Sequence, residues 1–499
     1  MINNLTKGRI LSIDAFRGIT ILVMIFVNNV AGVSGIPHWM QHAHANEDAM
    51  TFVDVVFPAF LFIVGMSVPF AINSRLAKGD GFWKLQWHIA WRTLGLLVLG
   101  LFMVNTGDLN ADATGMSMAL WALLFYTGAI LVWNVYTFKQ AWIGYCFKAA
   151  GVLLLVYLAW IFRAGDDGSR RLTPQWWGIL GLIGWAYLYA CIIYQLVRGA
   201  TGGIFLMIAV CIAYYALSQQ SFIRNSEYGW LGAQAGNAVH TAVVLCGMLL
   251  SLFFFDEDLD LRGSKLVSRV TGFFIILVMA GVCLRPQYKV SKIHATPSWA
   301  LFSAASCVAV FAVLYYLIDV KRISKWTEFF RPAGANPLLT YILPDIVYFL
   351  LIFLGLSLPD AFGHGLPGII WSAVYAVLML FLVKGLNKLH ISCSFKVVLI
   401  FFGGRGIVPQ RPSPPVLSAQ AHGRCRMPYS SGYAVGTPEY CRHPCACCVQ
   451  CAHPFPIPLS RRKHSVENNT LNKNPDPRVY VYKASGTWFA KSNIDNRFI

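Results

Sequence analysis

Twelve stretches of mostly apolar residues, each about 16 to 22 residues long, follow one another along residues 18–385. A helix of ~20 residues crosses the ~30 Å hydrocarbon core of a bilayer. Backbone amides find no water partners there, so each stretch is predicted to be an α-helix. Only 12% of the residues are charged, against roughly 25% in soluble domains. We therefore predict an all-α, polytopic integral membrane protein with 11–12 transmembrane helices in contact with the lipid bilayer. The predicted spans are 18–36, 52–73, 89–106, 116–137, 141–162, 176–197, 203–218, 237–255, 270–287, 299–319, 337–357 and 367–385.

The loops between these stretches differ in their content of Lys and Arg. Basic residues favour the cytosolic side of a membrane, so their distribution predicts a cytosolic N-terminus. We expect a multi-pass protein of the cell inner (plasma) membrane. The net charge of +18 is spread over short loops and a basic tail, which argues against a nucleic-acid partner. The clearest outside segments, which contain no Lys or Arg, are 37–51, 107–115 and 358–366.

The composition changes after about residue 404, so we divide the chain into a transmembrane domain, 1–404, and a tail, 405–499. The tail is rich in Pro, Arg and Cys and has no long apolar run. Its string CRHPCACCVQCAHP contains five cysteines and two histidines, but their spacing matches no common zinc-ligand pattern. Three interpretations stay open: a frameshifted extension, a disordered native tail and a metal module.

The densest polar segment of the membrane domain lies between the first two predicted spans. It contains His38, His42 and His44, and it leads to Asp54 near the start of the second span. A carboxylate that enters a span usually faces the protein interior and has a functional partner. Imidazole serves near pH 7 as general base, nucleophile or metal ligand. From the residues alone, the segment is a catalytic site, a metal site or a polar interfacial loop.

Polar residues also mark the first span. Asn28 lies deep in an apolar run, where an amide needs an interhelical hydrogen bond or a functional partner. Asp14 and Arg17 are three residues apart and therefore share a helix face. Two interpretations of this pair stay open: an ion pair at the membrane surface, or a place where Arg17 receives a cofactor phosphate.

Four pieces of the chain resemble the heparan-α-glucosaminide N-acetyltransferase family, including its bacterial members. The most specific are DAFRGITILVMIFVN (14–28) and HANEDAMTFVDVVFPAFLFIVGMS (44–67), which are similar to the family's first two spans. Weaker similarity is found in KVSKIHATPSWAL (289–301) and PAGANPLLTYIL (332–343). The resemblance covers roughly residues 9–385. It implies transfer of an acetyl group from cytosolic acetyl-CoA to an amino or hydroxyl group of a sugar or glycan acceptor on the outer side.

The resemblance also assigns site residues. The family's active histidine precedes a Thr-x-x-Asp-x-x-Phe-Pro stretch, and counting back from Thr51 and Asp54 gives His44. The asparagine late in the family's first span matches Asn28. The family usually has Trp-Asn-Gly where this chain has residues 47–49, Glu-Asp-Ala, so the acceptor pocket is expected to differ.

The chemistry implied by the resemblance suggests roles for the charged residues. We expect Asp54 to orient the histidine, which acts either as a nucleophile or as a general base. We expect Arg17 and Asp14 to take part in binding acetyl-CoA, and we expect no metal. A multi-pass small-molecule transporter is the alternative, because twelve spans with intramembrane amides and prolines also fit one.

Overall fold

Fifteen α-helices form the part of the chain that this computed structural model describes, which comprises residues 2–5, 10–136, 138–174, 176–389, 393, 479–484 and 487–492. The helices are α1 (Leu11–Val30), α2 (Phe52–Ala77), α3 (Phe82–Asn105), α4 (Ala111–Thr114), α5 (Met118–Trp133), α6 (Ala141–Ile161), α7 (Gly178–Leu196), α8 (Thr201–Ser218), α9 (Ser221–Arg224), α10 (Ala235–Phe255), α11 (Gly263–Tyr288), α12 (Pro297–Tyr315), α13 (Arg331–Ala335), α14 (Pro337–Phe353) and α15 (Gly365–Lys388). Short 3₁₀-helices occupy His38–Met40, Thr106–Asp108, Glu227–Gln234, Glu257–Leu259, Lys325–Phe329 and Asp360–Gly363. A short π-helix at Tyr316–Val320 extends α12.

Ten helices in the described part of the chain are long and apolar enough to cross a membrane, which confirms an all-α, multi-pass membrane protein. Every predicted stretch falls on a helix. The stretches at 116–137 and 337–357 fall on α5 and α14, which have only 16 and 17 residues and are short for a full span. The count of about ten long spans is therefore lower than the predicted 11–12.

The two ends of the helix bundle collect different loops. At one end, Ser34 pairs with His364, and Asp48 pairs with Arg285, so the segments after α1, α11 and α14 lie together. We call this end the histidine face. At the other end Asn3 contacts both Gly199 and Asp256. We call this end the basic face, because its loop at 321–331 contains four exposed basic residues, Lys321, Arg322, Lys325 and Arg331.

α2 and α10 form the centre of the bundle. About 83% of the apolar window in α2 and 89% of that in α10 is buried, against 17% for α11. The two backbones approach closely through glycines: a Cβ at Gly65 would collide with the Val244 carbonyl, and one at Gly247 would collide with the Phe62 carbonyl. Small residues allow such close packing between helices in lipid, where dispersion contacts hold the bundle together.

The first span differs from its predicted position, 18–36, because α1 begins at Leu11 and ends at Val30. The start was placed too late because Asp14 and Arg17 interrupt the apolar pattern. In the structure the pair is inside the bundle: Arg17 Nη1 lies 3.0 Å from Asp14 Oδ1, and the Arg17 side chain is 4% exposed. Opposite charges three residues apart lie on one helix face and attract each other, which favours a helix through this polar turn.

The predicted tail, 405–499, lies outside the described residues except for one antiparallel pair of strands. Strand β1 (Val479–Ala484) pairs with β2 (Thr487–Ser492), with Val479 opposite Ser492 and Ala484 opposite Thr487. The cysteine-rich string at 441–454 also lies outside the described residues.

Candidate functional site

The loop between α1 and α2 brings a histidine against the first turn of α2. His42 Nδ1 lies 2.6 Å from Asp54 Oδ1, and their side chains are 9% and 2% exposed. The other carboxylate oxygen, Asp54 Oδ2, accepts hydrogen bonds from the backbone N–H groups of Ala43 (3.2 Å) and Thr51 (3.1 Å). Because these donors keep the carboxyl oriented, Asp54 holds His42 in one ring orientation, with Nδ1–H donating to the carboxylate.

A lysine from a distant loop completes this group. Lys292 Nζ lies 3.2 Å from His42 Nδ1 and 3.4 Å from His42 Nε2, so the ammonium lies alongside the ring. Burial, and after it the charge of Lys292, hold the pKa of His42 below its ordinary value of 6.5, although Asp54 acts in the opposite direction. A neutral imidazole is therefore favoured at neutral pH, with Nε2 carrying the lone pair when Nδ1 donates to Asp54.

The loop that carries His42 is fixed to the last turn of α11 and to the segment that follows it. Asp48 accepts hydrogen bonds from Arg285 Nε (3.1 Å) and from the Val290 backbone N–H (2.7 Å). Ser291 Oγ donates to the Ala45 carbonyl at 3.1 Å. These contacts place Lys292, the residue after Ser291, beside His42.

Aromatic rings lie beneath the His42–Asp54 pair, toward the interior of the bundle. Trp299 Nε1–H donates to the Asp54 carbonyl oxygen at 3.1 Å, and the Trp299 ring stacks on Phe57 with centroids 6.4 Å apart. The His240 ring meets both edge to face, 5.3 Å from Phe57 and 6.0 Å from Trp299. His240 comes from α10, which the close packing with α2 holds at this depth.

The structure places His44 differently from His42. His44 is exposed in a turn, where its backbone N–H donates to Glu47 Oε2 at 3.1 Å. Its imidazole makes no hydrogen bond or ion pair with another described residue. His38 is exposed as well, with its Nε2 3.6 Å from Glu47 Oε2. Of the three loop histidines, His42 is therefore the one that contacts Asp54.

The remaining predicted residues lie elsewhere in the bundle. Asn28 is half-buried in α1. Arg17 is held by Asp14 and by Ser67, whose Oγ lies 3.2 Å from Arg17 Nη2. Asp14 and Arg17 lie near the start of α1, and Ser67 lies in the later part of α2. Asp54, in contrast, lies in the first turn of α2, at the histidine face.

Two residues of the site, Lys292 and His240, were not predicted. Lys292 lies in the segment KVSKIHATPSWAL, whose resemblance to the family was a usable signal. His240 is the only histidine inside the apolar run 237–255, and an ionisable group in a span is by default a functional candidate. Among the described residues, no three His, Cys, Asp or Glu side chains come together in a way that could hold a metal ion.

Fold and site together define a multi-pass membrane protein with a carboxylate-oriented histidine against the first turn of its second long helix. Residues 9–233 match the family described as "Domain of unknown function (DUF5009)". The chain is similar to heparan-alpha-glucosaminide N-acetyltransferase of Mus musculus, with 35% identity over 377 residues, covering 68% of this chain and 53% of the mouse protein. It also matches the Homo sapiens protein of the same name, with 38% identity over 97 residues, covering 19% of this chain and 14% of the human protein.

The chain is therefore homologous to heparan-alpha-glucosaminide N-acetyltransferase and contains a DUF5009 domain. It spans about half the length of the mouse relative and a smaller part of the human one.

Proposed function

We propose that this protein is a membrane-embedded acetyltransferase that moves an acetyl group from acetyl-CoA to an amino or hydroxyl group of a sugar-type acceptor. The observation that carries the proposal is the buried contact of His42 with Asp54 and Lys292, in a chain homologous to an N-acetyltransferase. Acyl transfer needs a group that activates a nucleophile or carries the acyl group, and an oriented neutral imidazole does either.

The chemistry at His42 takes one of two forms. As a general base, Nε2 accepts the proton of the acceptor amine or hydroxyl while the acceptor attacks the thioester carbonyl; the C–S bond breaks and the proton passes to the CoA thiolate. As a nucleophile, Nε2 forms a bond to the acetyl carbon and expels the CoA thiolate; the acceptor then attacks the acetyl carbon, the C–Nε2 bond breaks, and the proton lost by the acceptor passes to the thiolate. In both forms a positive charge develops on the ring, and Asp54 stabilises it.

Lys292 serves this chemistry in two ways. Its charge opposes protonation of His42, so the imidazole stays available as base or nucleophile near neutral pH. The ammonium is also a donor for an oxygen that becomes negative when the thioester carbonyl is attacked.

We assign the catalytic role to His42 rather than to His44, the residue that counting along the family motif selects. A base or nucleophile needs an orienting partner within hydrogen-bond reach, and Asp54 provides one only for His42. For Asn28 we retain the prediction of a role near the reacting groups. For Arg17 and Asp14 we propose that their ion pair orients Arg17, whose hydrogen bond to Ser67 joins α1 to α2, while a contribution to donor binding stays a prediction.

The sidedness of the reaction follows from the loop charges. We propose that the basic face is cytosolic, where the four exposed basic residues of the 321–331 loop would meet the phosphates of acetyl-CoA, and that the acceptor reaches His42 at the opposite face. The plasma membrane is the proposed location.

A transfer assay with matched histidine variants tests the function. Purified protein in lipid nanodiscs is incubated with radiolabelled acetyl-CoA and glucosamine as an amine probe, and both product and protein are counted. We expect the wild type to release CoA and form labelled product. We expect His42→Ala to lower the rate by about 10²–10⁴-fold, as for other positioned bases, and the matched control His44→Ala to keep most of it.

Label retained on the wild-type protein but absent from His42→Ala would identify the acetyl-imidazole form. An active His42→Ala beside an inactive His44→Ala would reverse our assignment. A wild type that consumes no acetyl-CoA with any amino or hydroxyl sugar would refute the proposed function.

A further inference from the structure

A second histidine lies inside the bundle without a hydrogen bond on its buried nitrogen. His240 is 4% exposed, and its Nδ1 has no hydrogen-bond partner among the described residues. Burying such a group without a partner destabilises a protein, because the group gives up its hydrogen bonds to water on folding. Buried polar groups in native proteins nearly always have a hydrogen-bond partner, which can come from protein, ordered water or a bound molecule.

Neighbouring buried polar atoms share this condition. Asn237 Oδ1, one turn before His240 on α10, and Ser298 Oγ, at the start of α12, also have no partner among the described residues. Both side chains are at least nine-tenths buried, at 6% and 0% exposure. Ser298 is adjacent to Trp299, whose ring meets His240. Helices α10 and α12 therefore each contribute, close to His240 in sequence or contact, one further buried polar atom without a partner among the described residues.

The depth of His240 relates it to the reacting group. Phe57, which its ring contacts, is three residues after Asp54 on α2. Because a helix rises 1.5 Å per residue, Phe57 lies roughly 4–5 Å further into the bundle along α2 than Asp54, and the His240 ring lies beside Phe57. A donor that reaches His42 from the basic face must pass this level.

Resting on the proposed acetyltransfer, we propose that His240 is a donor-binding residue, which hydrogen-bonds through Nδ1 to an amide or thioester group of the pantetheine arm of acetyl-CoA. That arm is a long apolar chain interrupted by two amides and a thioester. Apolar rings of Phe57 and Trp299 suit its methylene groups, while the imidazole pairs with one polar group along it. This division between apolar walls and a few polar partners is typical of sites for extended cofactors.

The proposal predicts opposite effects on stability and on binding. In His240→Leu the unpaired polar atom is replaced by an apolar group of similar size, so the thermal unfolding temperature stays the same or rises. The donor loses one neutral hydrogen bond, and we expect its dissociation constant to increase about three- to tenfold. The KM for acetyl-CoA rises in parallel, while kcat changes less. In His240→Asn an amide can return a polar atom near the position of Nδ1, and we expect most of the affinity to return.

The experiment measures equilibrium binding of radiolabelled acetyl-CoA and thermal unfolding for the wild type and both variants in nanodiscs. Leu245→Val serves as the control for disturbed packing, because residue 245 is buried about 140° around α10 from His240. We expect it to lower the unfolding temperature without changing acetyl-CoA affinity.

The outcomes distinguish a failure of the proposed acetyltransfer from a failure of the proposed role of His240. A wild type that does not bind acetyl-CoA would refute the proposed function itself. A wild type that binds, with unchanged affinity in His240→Leu, would refute only the role of His240. A lower unfolding temperature in His240→Leu, with weak binding that His240→Asn does not restore, would show that His240 has a structural role instead.

Discussion

His42 is in contact with two groups of opposite charge. Asp54 accepts its Nδ1–H and favours the imidazolium, whereas Lys292 and burial favour the neutral ring and lower its pKa. Orientation and basicity therefore have separate causes: the carboxylate selects which nitrogen carries the proton, while burial and then the ammonium keep the other nitrogen unprotonated.

Removing Lys292 should therefore change the pH dependence of acetyl transfer. In Lys292→Met the pKa of His42 rises, because the charge that opposed its protonation is gone. The proposed reaction requires the neutral ring, so the acidic limb of kcat/KM against pH should move to higher pH. The exposed Lys289 on the same segment provides the control: Lys289→Met should leave the limb in place. An unmoved limb in Lys292→Met would show that the ammonium does not influence the titration of His42.

At the scale of elements, the loop before α2 depends on the segment after α11. Asp48 joins them through Arg285 and the Val290 N–H, and these contacts also hold the pKa of Asp48 below its usual range although burial acts to raise it. The side chains of the ion pair are 50% and 39% exposed, so screening by water and salt makes the charge itself a small contribution. The hydrogen bond to Val290 carries more of the connection.

Two variants of Asp48 separate these contributions. Asp48→Asn keeps an oxygen that accepts from Val290 N–H, and we expect transfer close to that of the wild type. Asp48→Ala loses both contacts, and a net hydrogen-bond contribution of about 0.5–1.5 kcal/mol corresponds to a roughly two- to tenfold lower kcat/KM if the loop loosens. An equal decrease of kcat/KM in both variants would instead show that the charge of Asp48 makes the connection. Added salt should then lower kcat/KM of the wild type in the same way.

The contact between α2 and α10 sets the depth of His240. Gly65→Ala introduces a Cβ against the Val244 carbonyl, so the helices must separate, and we expect about 1–3 kcal/mol of destabilisation. Gly272→Ala on α11 is the matched control, because a Cβ there meets no atom within 4 Å. We expect thermal unfolding in nanodiscs to show a loss for Gly65→Ala and no loss for Gly272→Ala. Equal unfolding temperatures would mean that the two helices can shift apart freely.

At the scale of the whole molecule, successive loops alternate between the histidine face and the basic face. Fixing the orientation of one loop in the membrane therefore fixes the side on which every other loop lies. Reporter fusions after Asp112 and Asp360, on the histidine face, should be active as periplasmic alkaline phosphatase. Fusions after Gly79 and Arg322, on the basic face, should fluoresce as cytosolic green fluorescent protein. The reverse pattern would place His42 in the cytosol and remove the basis for transfer across the membrane.

The sequence by itself determined the membrane class, the helical content and the positions of nearly all the spans. Apolar length is a local property, and a bilayer accepts only structures that satisfy their own backbone hydrogen bonds. The same local character singled out Asp54 as a candidate functional carboxylate, since a charge entering a span stands out from its neighbours. The lengths of α5 and α14 were predicted less well, because the residue at which a helix ends depends on how the helix packs against its neighbours.

Only the tertiary structure decided which histidine faces Asp54. Counting along the chain selected His44, but the loop follows contacts made far from it in sequence, such as Ser291 with Ala45 and Asp48 with Val290. These contacts bring His42 to the carboxylate and add Lys292 from 250 residues away. No local pattern specifies such a path, because a polar loop has many conformations of similar energy until distant segments bind it.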